Sequence, residues 1–220
     1  MKGYIMEILF GLIVILIIVS VLIRKSHYHK HDEEVHEQIE NNYGTPQKSL
    51  FLSTALLSIH QATEITDENE NVVYSSKSKF LTLHDRTIVT DASGNEVSTF
   101  HKKIFTLHQR HYVTMASGKE FELSNEFFHL IKDITDIEGL GWKIEGNILA
   151  LNFTLKDESG NLIAYIGQKV LSIHDKYSID IYDISKEKEV ITIVLVLQHM
   201  LRDRQNASRS SSSASANSAH

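Results

Sequence analysis

Hydrophobic and polar positions divide the chain into stretches of different character. Residues 8–23, ILFGLIVILIIVSVLI, carry no charge. With Tyr4, Ile5 and Met6 ahead of them, interrupted by Glu7, the apolar stretch reaches about twenty residues, enough for a helix to cross a bilayer. Lys2 is the single basic side chain ahead of the run, and no small-x-small pattern follows Ile23. The run therefore reads as an anchor and not as a cleaved signal peptide. Arg24, Lys25 and Lys30 follow it. By the positive-inside rule that flank stays cytoplasmic. The expectation is one N-terminal span (1–25) in the cell membrane, with the rest of the chain on the cytoplasmic side.

The next stretch, 26–49, is mostly polar. Arg24 to His31 holds basic residues and no acid, whereas Asp32 to Glu40 holds five acids and no Lys or Arg. The first part is attracted to anionic headgroups and the second repelled, which predicts a juxtamembrane spacer or a solvated helix. Asn41-Asn42-Tyr43-Gly44-Thr45-Pro46 breaks it. His27 and His31 have the i,i+4 spacing of a helical metal pair. Their charged, Cys-free surroundings predict exposed chain and no metal.

Beyond Leu56 the pattern becomes periodic. Ile59-His60, Leu83-His84 and Leu107-His108 place histidines 24 residues apart, and Ile173-His174 repeats the signal. Seven residues past each of the first three comes a second signal: Asp67-Glu68-Asn69-Glu70-Asn71, Asp91-Ala92-Ser93-Gly94-Asn95 and Met115-Ala116-Ser117-Gly118-Lys119. It recurs at Asp157-Glu158-Ser159-Gly160-Asn161. Asp-x-Ser-Gly-Asn is a hairpin turn, in which the Asp side chain caps the loop and Gly takes the positive φ of a type I turn with a bulge. Runs such as Thr87-Ile88-Val89-Thr90 and Tyr177-Ser178-Ile179-Asp180-Ile181 are β-branched, aromatic and alternating, as half-buried strands are. Two turns per repeat means two strands per repeat. About twelve strands follow, a meander that removes its exposed edges by closing into a barrel. The repeated histidines read as turn residues at the barrel rim.

Val190-Ile191-Thr192-Ile193-Val194-Leu195-Val196-Leu197 breaks the alternation. Its β-branched content favours a strand. The charged start Ser185-Lys186-Glu187-Lys188-Glu189 and the continuation through Leu201 favour a helix. A helix apolar on all sides must be enclosed, and a barrel wound around it would do so.

Residues from about 56 to 204 resemble the LURP-one-related family, whose fold is like the tubby C-terminal domain. The resemblance rests on Asp91-x-Ser-Gly-Asn95, on Gly141-Trp142-Lys143-Ile144-Glu145-Gly146-Asn147, and on Asn152 through Ala164. It also rests on Gln168-Lys169-Val170-Leu171-Ser172-Ile173-His174-Asp175-Lys176-Tyr177 and on the apolar segment from Glu189 to Leu201. It implies a mainly β, closed antiparallel barrel of twelve strands around a central C-terminal α-helix, here with an added N-terminal transmembrane helix. Two positions depart from the expected pattern: Gln198 stands where an acid is expected, and Glu70 where the turn glycine is. The resemblance implies no catalytic residues. Tubby domains bind phosphoinositide headgroups, and related scramblase-like proteins are associated with lipid movement.

Composition narrows the function classes. The 220 residues include no Cys, and 22 basic against 28 acidic residues give −6. Disulfides and thiolate sites are excluded, and a broadly basic nucleic-acid surface is not expected. No phosphate loop, Gly-x-Ser-x-Gly or His-Glu-x-x-His is present, so no catalytic residues, cofactor or metal are expected. Charge is uneven, however: residues 77–119 hold seven basic and three acidic side chains, and residues 120–205 hold nine and fifteen. A basic face on a tethered domain meets anionic lipid at high effective concentration. Lys79, Lys102, Lys103 and Arg110 are the candidate headgroup contacts. The expected organisation is an anchor, a linker, a barrel domain over 50–205 and a disordered Ser-rich tail over 206–220. The expected role is that of a non-enzymatic binding or scaffold module at the membrane. The alternatives are a scramblase-like or lipid-transfer activity and protein partnering.

Overall fold

The computed structural model describes residues 19, 34–53, 62–79, 86–103, 110–124, 134–169 and 176–216. Apart from Val19, the apolar run 8–23 lies outside them, as does the proposed anchor. Among the described residues no helix is long and apolar enough to cross a membrane. The chain forms two compact units, residues 1–44 and 45–220. Besides Val19 and Gly44, the described part of the first is helix α1, residues 34–43, which begins in the acidic stretch. It stops at Gly44, whose φ of 78° lets its N–H reach back to the Glu40 carbonyl at 2.8 Å, a left-handed helix end that glycine adopts without strain.

The second unit is the barrel. Its strands are β1 (Lys48–Ser53), β2 (Ala62–Thr66), β3 (Val72–Lys79), β4 (Arg86–Asp91), β5 (Glu96–Lys103), β6 (Arg110–Met115), β7 (Glu120–Ser124), β8 (Ile134–Ile137), β9 (Trp142–Asn147), β10 (Asn152–Lys156), β11 (Leu162–Lys169) and β12 (Lys176–Ile181). They form one twelve-stranded sheet in the order β7-β6-β5-β4-β3-β2-β1-β12-β11-β10-β9-β8. Sequence neighbours pair antiparallel, and β12 pairs with β1 to join the two halves. Among the described residues a single bridge, Glu122 to Glu138, spans the seam between β7 and β8. The barrel is thus nearly closed, with the strand number expected from the repeat.

The Asp turns form as the sequence predicts. The Asp91 carboxylate accepts from the backbone N–H groups of Ser93 and Asn95, each at 2.9 Å, and Gly94 closes the turn at φ 82°. Asp67 and Asp157 cap their turns in the same way. Register shifts after Ile65, Val89 and Leu155 mark the expected bulges. Glu70, which replaces the turn glycine, still takes φ 65°. The second, His-bearing turns lie outside the described residues.

The apolar segment is helical. Helix α2 spans Glu187–Ala216, and Val190 through Leu197 are all buried. Strand propensity loses for a topological reason. A lone strand inside a barrel would leave its backbone N–H and C=O groups without a ladder, whereas a helix satisfies them internally. Two polar residues of α2 find partners in the wall. Thr192 Oγ1 lies 2.9 Å from Ser98 Oγ, and Gln198 Oε1 accepts from Thr63 Oγ1 at 3.0 Å. With Gln198 only 2% exposed, a neutral amide avoids the desolvation that a carboxylate would suffer there. The helix is seated at its start by Glu187, which accepts from Lys48 at 2.6 Å and from the Tyr74 hydroxyl at 2.8 Å. Glu189 pairs with Lys119 at 2.8 Å. Both acids lie in the first turn, where the helix dipole favours them.

Helix α2 continues through Ala216, into the Ser-rich stretch that begins at Asn206. Among residues whose side chains are described, the last buried one is Leu201. A helix already nucleated inside the barrel propagates at small cost per residue.

Candidate functional site

The meander sorts the strand ends into two rims. The Asp turns and the start of α2 occupy one. At the other the chain leaves β3, β5 and β11 and re-enters β4, β6 and β12. There three cross-strand pairs are basic on both sides: Lys79 opposite Arg86, Lys103 opposite Arg110, and Lys169 opposite Lys176. Like charges directly opposite on a sheet are destabilising. The backbone register thus gathers six basic positions at one rim, of which Arg110 is paired with Glu122 and Glu138.

A cleft of about 400 Å³ opens on the outer face of β4–β6, lined by Arg86, Thr99, His101 and Thr114. Strand alternation puts these side chains on one face. Arg86 Nη2 donates to Thr99 Oγ1 at 3.2 Å and lies 3.9 Å from Glu96. The Arg86 side chain is still half exposed. His101 stacks on Tyr112, with ring centroids 5.8 Å apart. A guanidinium, an imidazole and two hydroxyls facing one cleft form a donor set suited to an oxyanion.

The four basic residues singled out from sequence are placed differently from one another. The Lys79 and Lys103 side chains lie outside the described part, although their backbones sit on the basic rim. Lys102 faces the barrel mouth, 3.7 Å from Asp203 of α2. Arg110 pairs with Glu122 and lies 3.2 Å from Glu138, so it bridges the β7–β8 seam. Hydrogen bonding to Glu122 raises the Glu138 carboxyl above its usual range, as expected when two acids share one site. Arg86, the central cation of the cleft, was not singled out. Its signal was its position at the first residue of β4, directly opposite Lys79.

Sequence reasoning also missed a cluster where α2 leaves the barrel. His111 of β6 with His199 and Asp203 of α2 bring one potential ligand atom each to within 4.8 Å of one another. His111 is 1% exposed, and both of its ring nitrogens are buried without a hydrogen-bond partner, a state that costs about 1–3 kcal/mol per group. Burial first, then the charges of His199, Lys102 and His101, hold its pKa down to about 3. The spacing of 111, 199 and 203 carries no motif. The cluster exists because β6 faces the last enclosed turns of α2.

Twelve antiparallel strands wound around an enclosed C-terminal helix define the tubby-like class of barrel. Within that class the chain belongs to the LURP-one-related family, which it matches over residues 48–198. Among solved structures it is similar to a protein from Arabidopsis thaliana, with 19% identity and a TM-score of 0.48 over 72% of this chain and 94% of that one. No curated protein matches the chain.

Proposed function

We propose that the protein is a non-enzymatic binding module at the membrane surface, and that its basic rim and the Arg86 cleft receive an anionic phospholipid headgroup. The observation that carries this reading is the coincidence at one rim of three doubly basic strand pairs with a cleft whose donors are Arg86, His101, Thr99 and Thr114. The apolar run 8–23 supports it, because a span there would hold the domain near lipid on the cytoplasmic side. The filled interior favours headgroup binding at the outer surface over passage of lipid through the barrel, since α2 occupies the space a conduit would need.

The test uses residues 45–220, which contain every core residue among those described, with vesicles of phosphatidylcholine alone or mixed with phosphatidylserine or a phosphoinositide. Binding to the anionic vesicles should weaken as salt rises. Each basic side chain near the surface contributes about 1 kcal/mol, so Arg86→Gln should weaken binding roughly fivefold and Arg86→Glu more. No binding at low ionic strength, or binding indifferent to Arg86→Glu, would overturn the proposal.

A further inference from the structure

We infer that His111, His199 and Asp203 form a binding site for a divalent transition-metal ion, with zinc the best match, that ties strand β6 to helix α2 at the mouth of the barrel. Two independent observations meet here. The first is geometric: two imidazoles and a carboxylate, drawn from two elements, converge to within 4.8 Å. Zinc with nitrogen and oxygen bonds of about 2.0–2.2 Å holds tetrahedral ligands about 3.4 Å apart, so closure needs side-chain torsions and no movement of the backbone. His199 Nε2 and Asp203 Oδ2 are already 3.9 Å apart. The second is the orphaned ring of His111, almost wholly buried with neither nitrogen hydrogen-bonded. An imidazole with no hydrogen-bond partner has a lone pair to offer a metal, and two imidazoles with a carboxylate form a borderline donor set suited to zinc.

The surroundings fit such a site. Phe100 packs against both imidazoles, with centroids 5.5 Å from His199 and 6.5 Å from His111, giving an apolar wall on one side. Asp203 is about one-third exposed, which gives an ion a way in and leaves a fourth position for solvent. Two cations compete with the metal. Lys102 lies 3.7 Å from Asp203, and Arg202 Nη2 lies 2.8 Å from His199 Nδ1. With a metal on Nε2 the ring proton moves to Nδ1, so Arg202 must release it. The Lys102 ammonium stands where it partly substitutes for the ion.

The experiment uses the full chain in detergent, stripped of metal and titrated with Zn²⁺ and with Co²⁺ as the optical probe. The wild type should bind one tight equivalent, develop the visible bands of tetrahedral Co²⁺ and melt at a higher temperature when loaded. Asp203→Asn is near-isosteric and sits at the partly open mouth, so it should fold, lose the Co²⁺ bands and weaken zinc at least about tenfold. His111→Gln should do the same. Lys102→Met, which removes the competing charge, should tighten binding. The chain has other histidines, 13 in all, so the decisive reading is the difference between variants. Zinc affinity and Co²⁺ spectra unchanged by Asp203→Asn, or no tight equivalent in the wild type, would overturn the inference.

Discussion

Replacing Val194, Leu195, Val196 and Leu197 by alanine, one at a time, tests whether α2 is enclosed from every side. Successive helix residues are about 100° apart, so four in a row sweep most of the circumference. In a helix lying on a surface, at least one of the four would face solvent and tolerate alanine within about 0.5 kcal/mol. Here all four are buried, at 0–1% exposure. Leu195→Ala and Leu197→Ala should cost about 2–5 kcal/mol each. Each valine loses two carbons at about 0.8 kcal/mol apiece plus a cavity term. Alanine's better helix propensity returns up to about 0.7 kcal/mol, so Val194→Ala and Val196→Ala should cost about 1–2 kcal/mol. Urea unfolding of residues 45–220, with equal m-values across the set, reads these differences directly. One position of the four that proved neutral would refute full enclosure.

The seam, the turns and the glycines give further tests. Arg110→Gln should leave Glu122 facing Glu138 without the bridging cation, so the variant should be destabilised at neutral pH and partly recover when a carboxyl is protonated. An unchanged pH dependence of its urea midpoint would show that Arg110 does not close the seam. The Asp157 carboxyl is held below its usual value of 3.8, chiefly by the Asn161 side chain. Its contribution is therefore present above that value and lost as pH falls through the lower folded one. Asp157→Asn should flatten the loss of stability in acid, and an identical slope in both proteins would contradict this. A methyl group on Gly146, at φ 120°, would sit 2.7 Å from the Asn152 carbonyl, whereas one on Gly94, at φ 82°, would meet nothing within 4 Å. Gly94→Ala should cost about 1–2 kcal/mol from backbone strain alone and Gly146→Ala clearly more, as thermal melts would show. Equal costs would put the backbone contact in doubt.

Much of the barrel is legible along the chain because its information is local. Asp91, Gly94 and Asn95 close a turn within five residues, and strand alternation follows from which side chains must face inward. The repeat of that unit implies the strand number, and a meander of twelve strands implies closure. The candidate sites were much less legible. Lys102 and Arg110 look alike in sequence as basic residues near a hairpin, yet Lys102 faces inward to Asp203 while Arg110 faces outward to the seam acids. Opposite strand faces separate the two, and their partners lie on α2, β7 and beside β8.

By itself, then, the amino-acid sequence determined the turns, the strand period and the apolar character of the segment after Glu189. Each follows from backbone sterics or from side chains a few residues apart. Tertiary structure decided the rest. It made the β-branched segment a helix, because a lumen offers no ladder to a strand. It set Arg86 beside His101 and two threonines across strands that the sequence separates. It carried His199 and Asp203 to His111, some ninety residues away along the chain, because closing the barrel around α2 brings together groups that no local rule connects.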